Sequence, residues 1–287
     1  MGLGLLCLLP ILIWNAQNGA ASFQYNLSDR LGDDLALGAH LRRGAQFLVI
    51  FLLVSSPFVG VVLLRVIRRP APAIPRTIIL AVFFLSTLVC LWMARNTFVL
   101  YYWNIVALIP LLPFIGFYLG ERWMLWLHYG FGLLMSAAFV FNSTVIPLSA
   151  IYGMADAETA LLYGWDQITP QFEAQMRSHA ACMAVASDYR HGAILAFETG
   201  RTDVIVLSDR ISQFTLWQVA QPDDCENAVI LTDEWHGLSP AITSRFGNIE
   251  LMAKLSIERF GRVITTYEIY HAHGAPAVHA GATALHR

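Results

Sequence analysis

Five long apolar runs crowd the first half of the chain: Gly2–Trp14, Phe47–Val66, Ile78–Met93, Phe98–Leu119 and Trp123–Phe141. A hydrocarbon core about 30 Å thick takes around 20 helical residues. The second, fourth and fifth runs meet that length, and the third does so with its flanks. The first reaches only about 20 Å at about 1.5 Å per residue. It is either a signal-peptide core, with cleavage near Gly19-Ala20-Ala21, or the back half of a membrane helix whose front half precedes Met1. No basic residue precedes it, which favours the half-helix. The chain is then expected to be the C-terminal part of a longer protein.

After Pro147 the pattern shortens. Asp156–Gly164, Gln171–His179 and Tyr189–Thr199 read as helices, the last stopped by Gly200. Ala181–Ser187, Val204–Leu207 and Ala228–Thr232 are short apolar runs with strand composition. Ser239–Phe246 reads as another short helix. Glu250–Glu258 and Val263–Tyr270, joined by Arg259-Phe260-Gly261-Arg262, read as a hairpin. Helices alternating with strands predict a small α/β sandwich with some antiparallel strand. The expected architecture is an α-helical membrane bundle, four full helices plus a partial first one, followed by that sandwich outside the membrane. Its divisions are 1–147, with an outer loop at 15–44, then 148–273. Residues 274–287, rich in Ala, Gly and His, read as a disordered tail.

Composition sharpens the class. Of 287 residues, 56% are hydrophobic and 13% charged, against about 25% charged in soluble proteins. Mean hydropathy is +0.55. Net charge is −2, and no basic run points to nucleic acid. Arg65, Arg68, Arg69 and Arg76 cluster after the second run. The positive-inside rule makes that loop cytoplasmic. The 95–104 link and everything after Phe141 are then outside, and the Gly120-Glu121-Arg122 turn is inside. Arg42 and Arg43 sit on the outer side against the rule. Leu31, Leu35, Leu37 and Leu41 suggest a helix lying on the membrane surface. Ser55, Ser56 and Pro57 interrupt the second run in a manner membrane helices tolerate. Pro110 and Pro113 are expected to kink the fourth.

Cys7 and Cys90 fall in apolar runs. Cys182 and Cys225 both fall in the outer domain, where an oxidising compartment would let them pair. Spacing alone leaves the pairing open, since it does not supply the required Cα separation.

Three stretches are distinctive. One runs Leu9-Pro10-Ile11-Leu12-Ile13-Trp14-Asn15-Ala16-Gln17-Asn18-Gly19, then Ser22-Phe23-Gln24-Tyr25, closing on Asp29-Arg30. Another is Arg95 with the aromatic run after it and Pro110. The last is Leu162-Tyr163-Gly164-Trp165, with Ser187-Asp188-Tyr189 and Gln213-Phe214-Thr215-Leu216-Trp217. Together they resemble the C-terminal half of bacterial polytopic glycosyltransferases of the protein-mannosyltransferase and aminoarabinose-transferase type, to about Gly274. The resemblance implies a GT-C enzyme of the bacterial inner membrane. Such enzymes move a sugar from a polyprenyl-phosphate donor to an acceptor on the outer face. It also implies that the catalytic carboxylate lies in an earlier outer loop, so no residue here is assigned as catalytic.

The chemistry also stands without the family. A lipid phosphate at a membrane surface calls for fixed cations, and Arg offers a planar fork matched to its oxygens. Arg95 and Arg30 are the candidate phosphate ligands, with Tyr101 and Tyr102 as hydrogen-bond donors. The competing role for Arg95 is a snorkelling anchor, and for Tyr101, Tyr102 and Trp103 an interfacial aromatic belt. Asp29, Asp33 and Asp34 read as a surface loop. His271, His273, His279 and His286 read as an irregular tail, and no cofactor or metal is expected. A divalent metal is conceivable but carries no support. Asp233-Glu234-Trp235-His236 follows a strand end, where α/β folds often place function. Asn26-Leu27-Ser28 and Asn142-Ser143-Thr144 match the glycosylation pattern. Two other functions compete: a non-catalytic anchored protein presenting a ligand-binding α/β domain, and a transporter. The apolar runs lack the carboxylate a transporter would use.

Overall fold

The computed structural model describes residues 6–24, 37–68, 73–97, 99–208, 212–217, 225 and 227–274. The chain forms two compact units, Met1–Ala137 and Ala138–Arg287.

In the first unit, α1 (Leu9–Gln17) opens on Pro10, a position where no backbone N–H is needed. Asn15 is buried. Its amide donates to Ile11 O at 2.9 Å and its Oδ1 accepts from Ser22 N at 3.1 Å. That side chain folds the turn Ala21–Gln24 back onto α1.

The second apolar run is not one helix. α2 (Leu37–Val54) and α3 (Pro57–Arg68) meet at 98°. Pro57 has no N–H and its ring crowds the carbonyl one turn back, and it disfavours helical geometry at Ser56. Ser56 takes φ +89. Its hydroxyl accepts from Phe58 N and lies 3.0 Å from His128 Nδ1. α2 also starts well before the apolar run, so Arg42 and Arg43 lie inside it rather than at its edge. Part of the expected 15–44 loop is therefore helical.

α4 (Ala73–Met93) is followed by 3₁₀ segments Tyr101–Ala107 and Leu112–Phe114 and the helical turn Ile115–Leu119. Tyr101–Ala107 and Leu112–Leu119 meet at 66°, the kink expected of Pro110 and Pro113. α5 (Arg122–Thr144) is a continuous 23-residue helix. Among the described residues, two helices, Pro75–Met93 and Arg122–Thr144, are long and apolar enough to cross a membrane, or up to four if each bent pair is one span.

The unit's core joins Phe47, Phe51, Val62, Val66, Ile79, Phe83, Leu111 and Leu119. Two polar devices lock it. Asn104, fully buried, accepts from Ser86 Oγ at 2.6 Å and donates to Thr87 Oγ1 at 3.0 Å. Arg65 donates to the carbonyls of Tyr118 and Leu119, satisfying a helix end that has no further turn to bond. The carboxyl end of α3, which carries Arg65, and the 120–122 turn thus share one end of the unit.

The second unit begins within α5. Asn142 Oδ1 accepts from Leu148 N at 2.8 Å, and its amide donates to Thr159 Oγ1 at 3.2 Å. Tyr163 OH donates to the Asn142 carbonyl at 2.6 Å. The Asn142 amide of the glycosylation pattern is thereby spent on packing, while Asn26 lies outside the described residues.

α6 (Trp165–Ser178) starts ahead of Pro170, where the sequence suggested a helix only from Gln171. Trp165, Ile168, Phe172 and Met176 all bury on one face, and that burial outweighs one missing hydrogen bond. Next come β1 (Met183–Ala186), α7 (Tyr189–Thr199), β2 (Val204–Val206), β3 (Asn227–Asp233), β4 (Asn248–Arg259) and β5 (Arg262–His273). They form one mixed sheet in the order β2-β1-β3-β5-β4. β2, β1 and β3 run parallel, and β5 and β4 close the far side as an antiparallel hairpin. Its two-residue turn, Phe260-Gly261, has both φ positive, as a tight hairpin requires.

Trp165, Phe172, Leu195, Val229 and Tyr267 pack one face, and Met183, Ile205, Ile230, Ile242 and Phe246 the other. Gly192 lets α7 approach β2 so closely that a Cβ there would strike Val206. Cys182 and Cys225 are disulfide-bonded, Cα atoms 6.1 Å apart. His271 and His273 are strand residues of β5, not tail. They alternate onto one side with His179, whose ring stacks on His271 at 4.0 Å. Residues 275–287 fall outside the description.

Candidate functional site

The topology picks out one edge of the sheet. From β1 the chain crosses through α7 to β2 on one side, while β3 lies on the other. The carboxyl ends of β1 and β3 therefore flank a switch point, where open α/β sheets leave a crevice. Ser187 and Asp188 follow β1 there, and Asp233 ends β3 with Glu234, Trp235 and His236 beyond it.

Asp188 is the N-cap of α7, accepting from Arg190 N at 3.0 Å. The same oxygen accepts from Arg190 Nε at 2.8 Å, and Arg190 Nη1 reaches Glu158 Oε1 at 2.5 Å. Burial pushes the Asp188 carboxyl up, but the Arg190 guanidinium outweighs it and holds the group below the usual carboxylate range. Arg190 loses some charge preference to burial, yet its two carboxylates more than restore it.

Asp233, 4% exposed, closes a tight turn. Its Oδ1 accepts from His236 N at 2.6 Å and from His236 Nδ1 at 2.8 Å. Arg190 Nη2 lies 2.9 Å from His236 Nε2. A guanidinium only donates, so Nε2 is the acceptor and the ring proton sits on Nδ1, facing Asp233. Ser187 Oγ donates to the His236 carbonyl and fixes this turn to β1.

His191 lies one residue past Arg190 and is 1% exposed. Its ring packs against Trp165, Tyr267 and His236. Nε2 stands 3.4 Å from Asp233 Oδ2, but neither ring nitrogen has a hydrogen-bond partner among the described residues. The approach is close without being aligned as a hydrogen bond. Burial pushes the imidazole down to about 4, against the pull of Asp233 and Asp188. Burial, together with Asp233, pushes the Tyr267 phenol upward. Ligand-capable atoms of His191, Asp233 and His236 all lie within 4.8 Å of one another. No metal was expected from sequence, yet the fold converges two imidazoles and a carboxylate from two separate elements. A cleft on the same unit is lined by Ser149, Met154, Asp156, Glu234, Trp235 and Val263, among others.

The phosphate candidates are placed differently. Arg95 is exposed in the turn that ends α4, where its charge complements the helix carboxyl end. Tyr101 and Tyr102 open the first 3₁₀ segment with rings edge-to-face at 5.5 Å, and Tyr102 is 53% exposed. Tyr101 lines a groove with Arg43, Gln46, Phe47, Ile50, Val99 and Leu100. Arg95 is outside that lining, and Arg30 lies outside the described residues. Among the described residues, the cation lining this groove is Arg43, whose side the charge pattern already marked as unusual.

No protein-family model, curated protein or solved structure matches this chain. Of the crevice residues, the Asp233–His236 stretch was legible from its position after a strand, and Ser187-Asp188 only as part of the family resemblance. His191 carries no local signal: a histidine within a helix becomes notable only when burial strips its partners.

Proposed function

We propose that the chain is the donor-binding part of a multi-pass glycosyltransferase of the bacterial inner membrane that takes its sugar from a polyprenyl phosphate. The apolar helices hold it in the bilayer, and its α/β domain faces the extracytoplasmic side, where the acceptor is met. The observation that carries this reading is the Arg43–Tyr101 groove. A cation and a phenol sit over an apolar wall of Phe47, Ile50, Val99 and Leu100, the chemistry that receives a phosphate head and an isoprenoid stem together. Arg95 adds a second cation at a helix end that the charge pattern assigns to the same side. The Cys182–Cys225 bond supports an oxidising surrounding for the α/β domain.

The test uses the full chain in nanodiscs with undecaprenyl monophosphate as probe. Saturable binding is expected, weakened roughly tenfold or more in Arg43→Ala, as for loss of one charge-assisted bond. Undecaprenol without phosphate should not compete. Equal competition by the alcohol would sink the phosphate reading.

A second reading is an anchored protein whose function resides in the α/β domain alone. The convergence of His191, Asp233 and His236 at the sheet's switch point favours it. Phosphate-blind binding in the nanodisc assay would turn the balance toward it.

A further inference from the structure

We propose that His191, Asp233 and His236 form a binding site for a divalent transition metal, Zn2+ foremost, at the carboxyl ends of β1 and β3. The site belongs to the second unit and the lipid-phosphate groove to the first, and the proposal does not depend on that groove.

Four observations support it. Donor set is the first: two imidazoles and one carboxylate suit Zn2+ and its neighbours, and not Ca2+ or Mg2+, which want oxygen cages. Spacing is the second. A tetrahedral ion with bonds of about 2.0–2.1 Å separates its ligand atoms by about 3.4 Å. His191 Nε2 and Asp233 Oδ2 are 3.4 Å apart, too poorly aligned for a hydrogen bond and right for a shared ion. The third is His191 itself. A fully buried imidazole with both nitrogens unpartnered costs on the order of 1–3 kcal/mol in lost hydrogen bonding, which a metal at Nε2 would recover in part. Charge is the fourth. Asp188 and Glu158 pair with the guanidinium of Arg190, while Asp233 faces the imidazoles of His191 and His236. The surplus of negative charge matches a dication.

The metal would take Nε2 of His191, an oxygen of Asp233 and a ring nitrogen of His236. Arg190 Nη2 now occupies His236 Nε2, so binding requires that contact to loosen. Asp188 and Glu158 hold the rest of the guanidinium and give it somewhere to stay. Arg190 and a metal ion would thus compete for His236. Three protein ligands leave a fourth position for water or a substrate atom, as in catalytic rather than structural zinc sites.

The experiment strips the full chain, in detergent, with a chelator and titrates it with Co2+ and Zn2+. One equivalent of Co2+ should develop the visible bands of a tetrahedral N/O complex, and Zn2+ should bleach them. His236→Gln is the main variant, because that ring is 28% exposed and its loss spares the core. At least a tenfold weaker Co2+ affinity is expected. Arg190→Gln should tighten binding severalfold by removing the competing cation. His271→Gln, in the separate β5 histidine group, should leave the titration unchanged. Absence of Co2+ bands in the unaltered chain would overturn the proposal. So would bands that survive His236→Gln at full affinity, or that vanish in His271→Gln instead.

Discussion

Gly192 shows how much a single position can decide. It lies in α7, where alanine would ordinarily favour the helix by up to about 1 kcal/mol. Here a methyl would collide with the Val206 side chain of β2, and overpacking of that kind costs about 1–3 kcal/mol. The clash is expected to win. Gly192→Ala should lower the stability of the α/β unit by about 1–2 kcal/mol, read by denaturant melts, and Val206→Ala on that background should restore most of it. A gain in stability from Gly192→Ala would mean that α7 does not press on β2. The stakes reach the crevice, because α7 also carries Arg190 and His191.

At the scale of elements, the apolar helices hold polar locks that hydropathy passes over. Asn104 bridges Ser86 and Thr87 of α4 across to the first 3₁₀ segment. It fixes the segment that carries Tyr101. Asn104→Leu keeps the bulk and deletes both bonds, stranding two hydroxyls. A loss of roughly 1–2 kcal/mol follows, visible as a lower melting temperature of the helical unit in detergent. An unchanged melt would show that the hydroxyls find other partners. Arg65 works in the same manner at the opposite kind of site, capping the carbonyls of Tyr118 and Leu119. The break between α2 and α3 is likewise an element-scale event. Pro57 supplies the cause, but the 98° angle belongs to the packing of His128 against Ser56 and of Phe47 and Phe51 against the core.

For the whole molecule, two units with separate cores predict two unfolding events rather than one. The Cys182–Cys225 bond closes a loop of 43 residues in the second unit alone. Reducing it should cost that unit about 2–4 kcal/mol, so its transition should fall on adding reductant while that of the helical unit stays. Calorimetry with and without reductant makes the comparison. Coincident shifts of both transitions would show that the units unfold as one. The α/β unit is also where the metal site and the cleft beside Trp235 reside, so reductant should weaken Co2+ binding only through this unfolding.

Much was already legible in the order of residues. Apolar length marks α4 and α5, because a long apolar run declares itself without reference to any partner. The α/β unit is legible strand by strand. The hairpin is announced by Phe260-Gly261, and the end of α7 by Gly200, since turns and caps depend on local backbone geometry alone. Other features depended on residues far apart in the chain. Pro57 announces the break within Phe47–Val66, but its 98° angle depends on partners such as His128, 72 positions beyond Ser56. The disulfide needed a Cα separation that spacing does not encode. Arg43 reaches the groove because α2 begins earlier than its apolar run. Above all, the crevice came from tertiary structure. His191 and Asp233 meet only because parallel pairing of β1 and β3 brings α7's first turn to the end of β3, and burial there removes the water that would otherwise satisfy the ring.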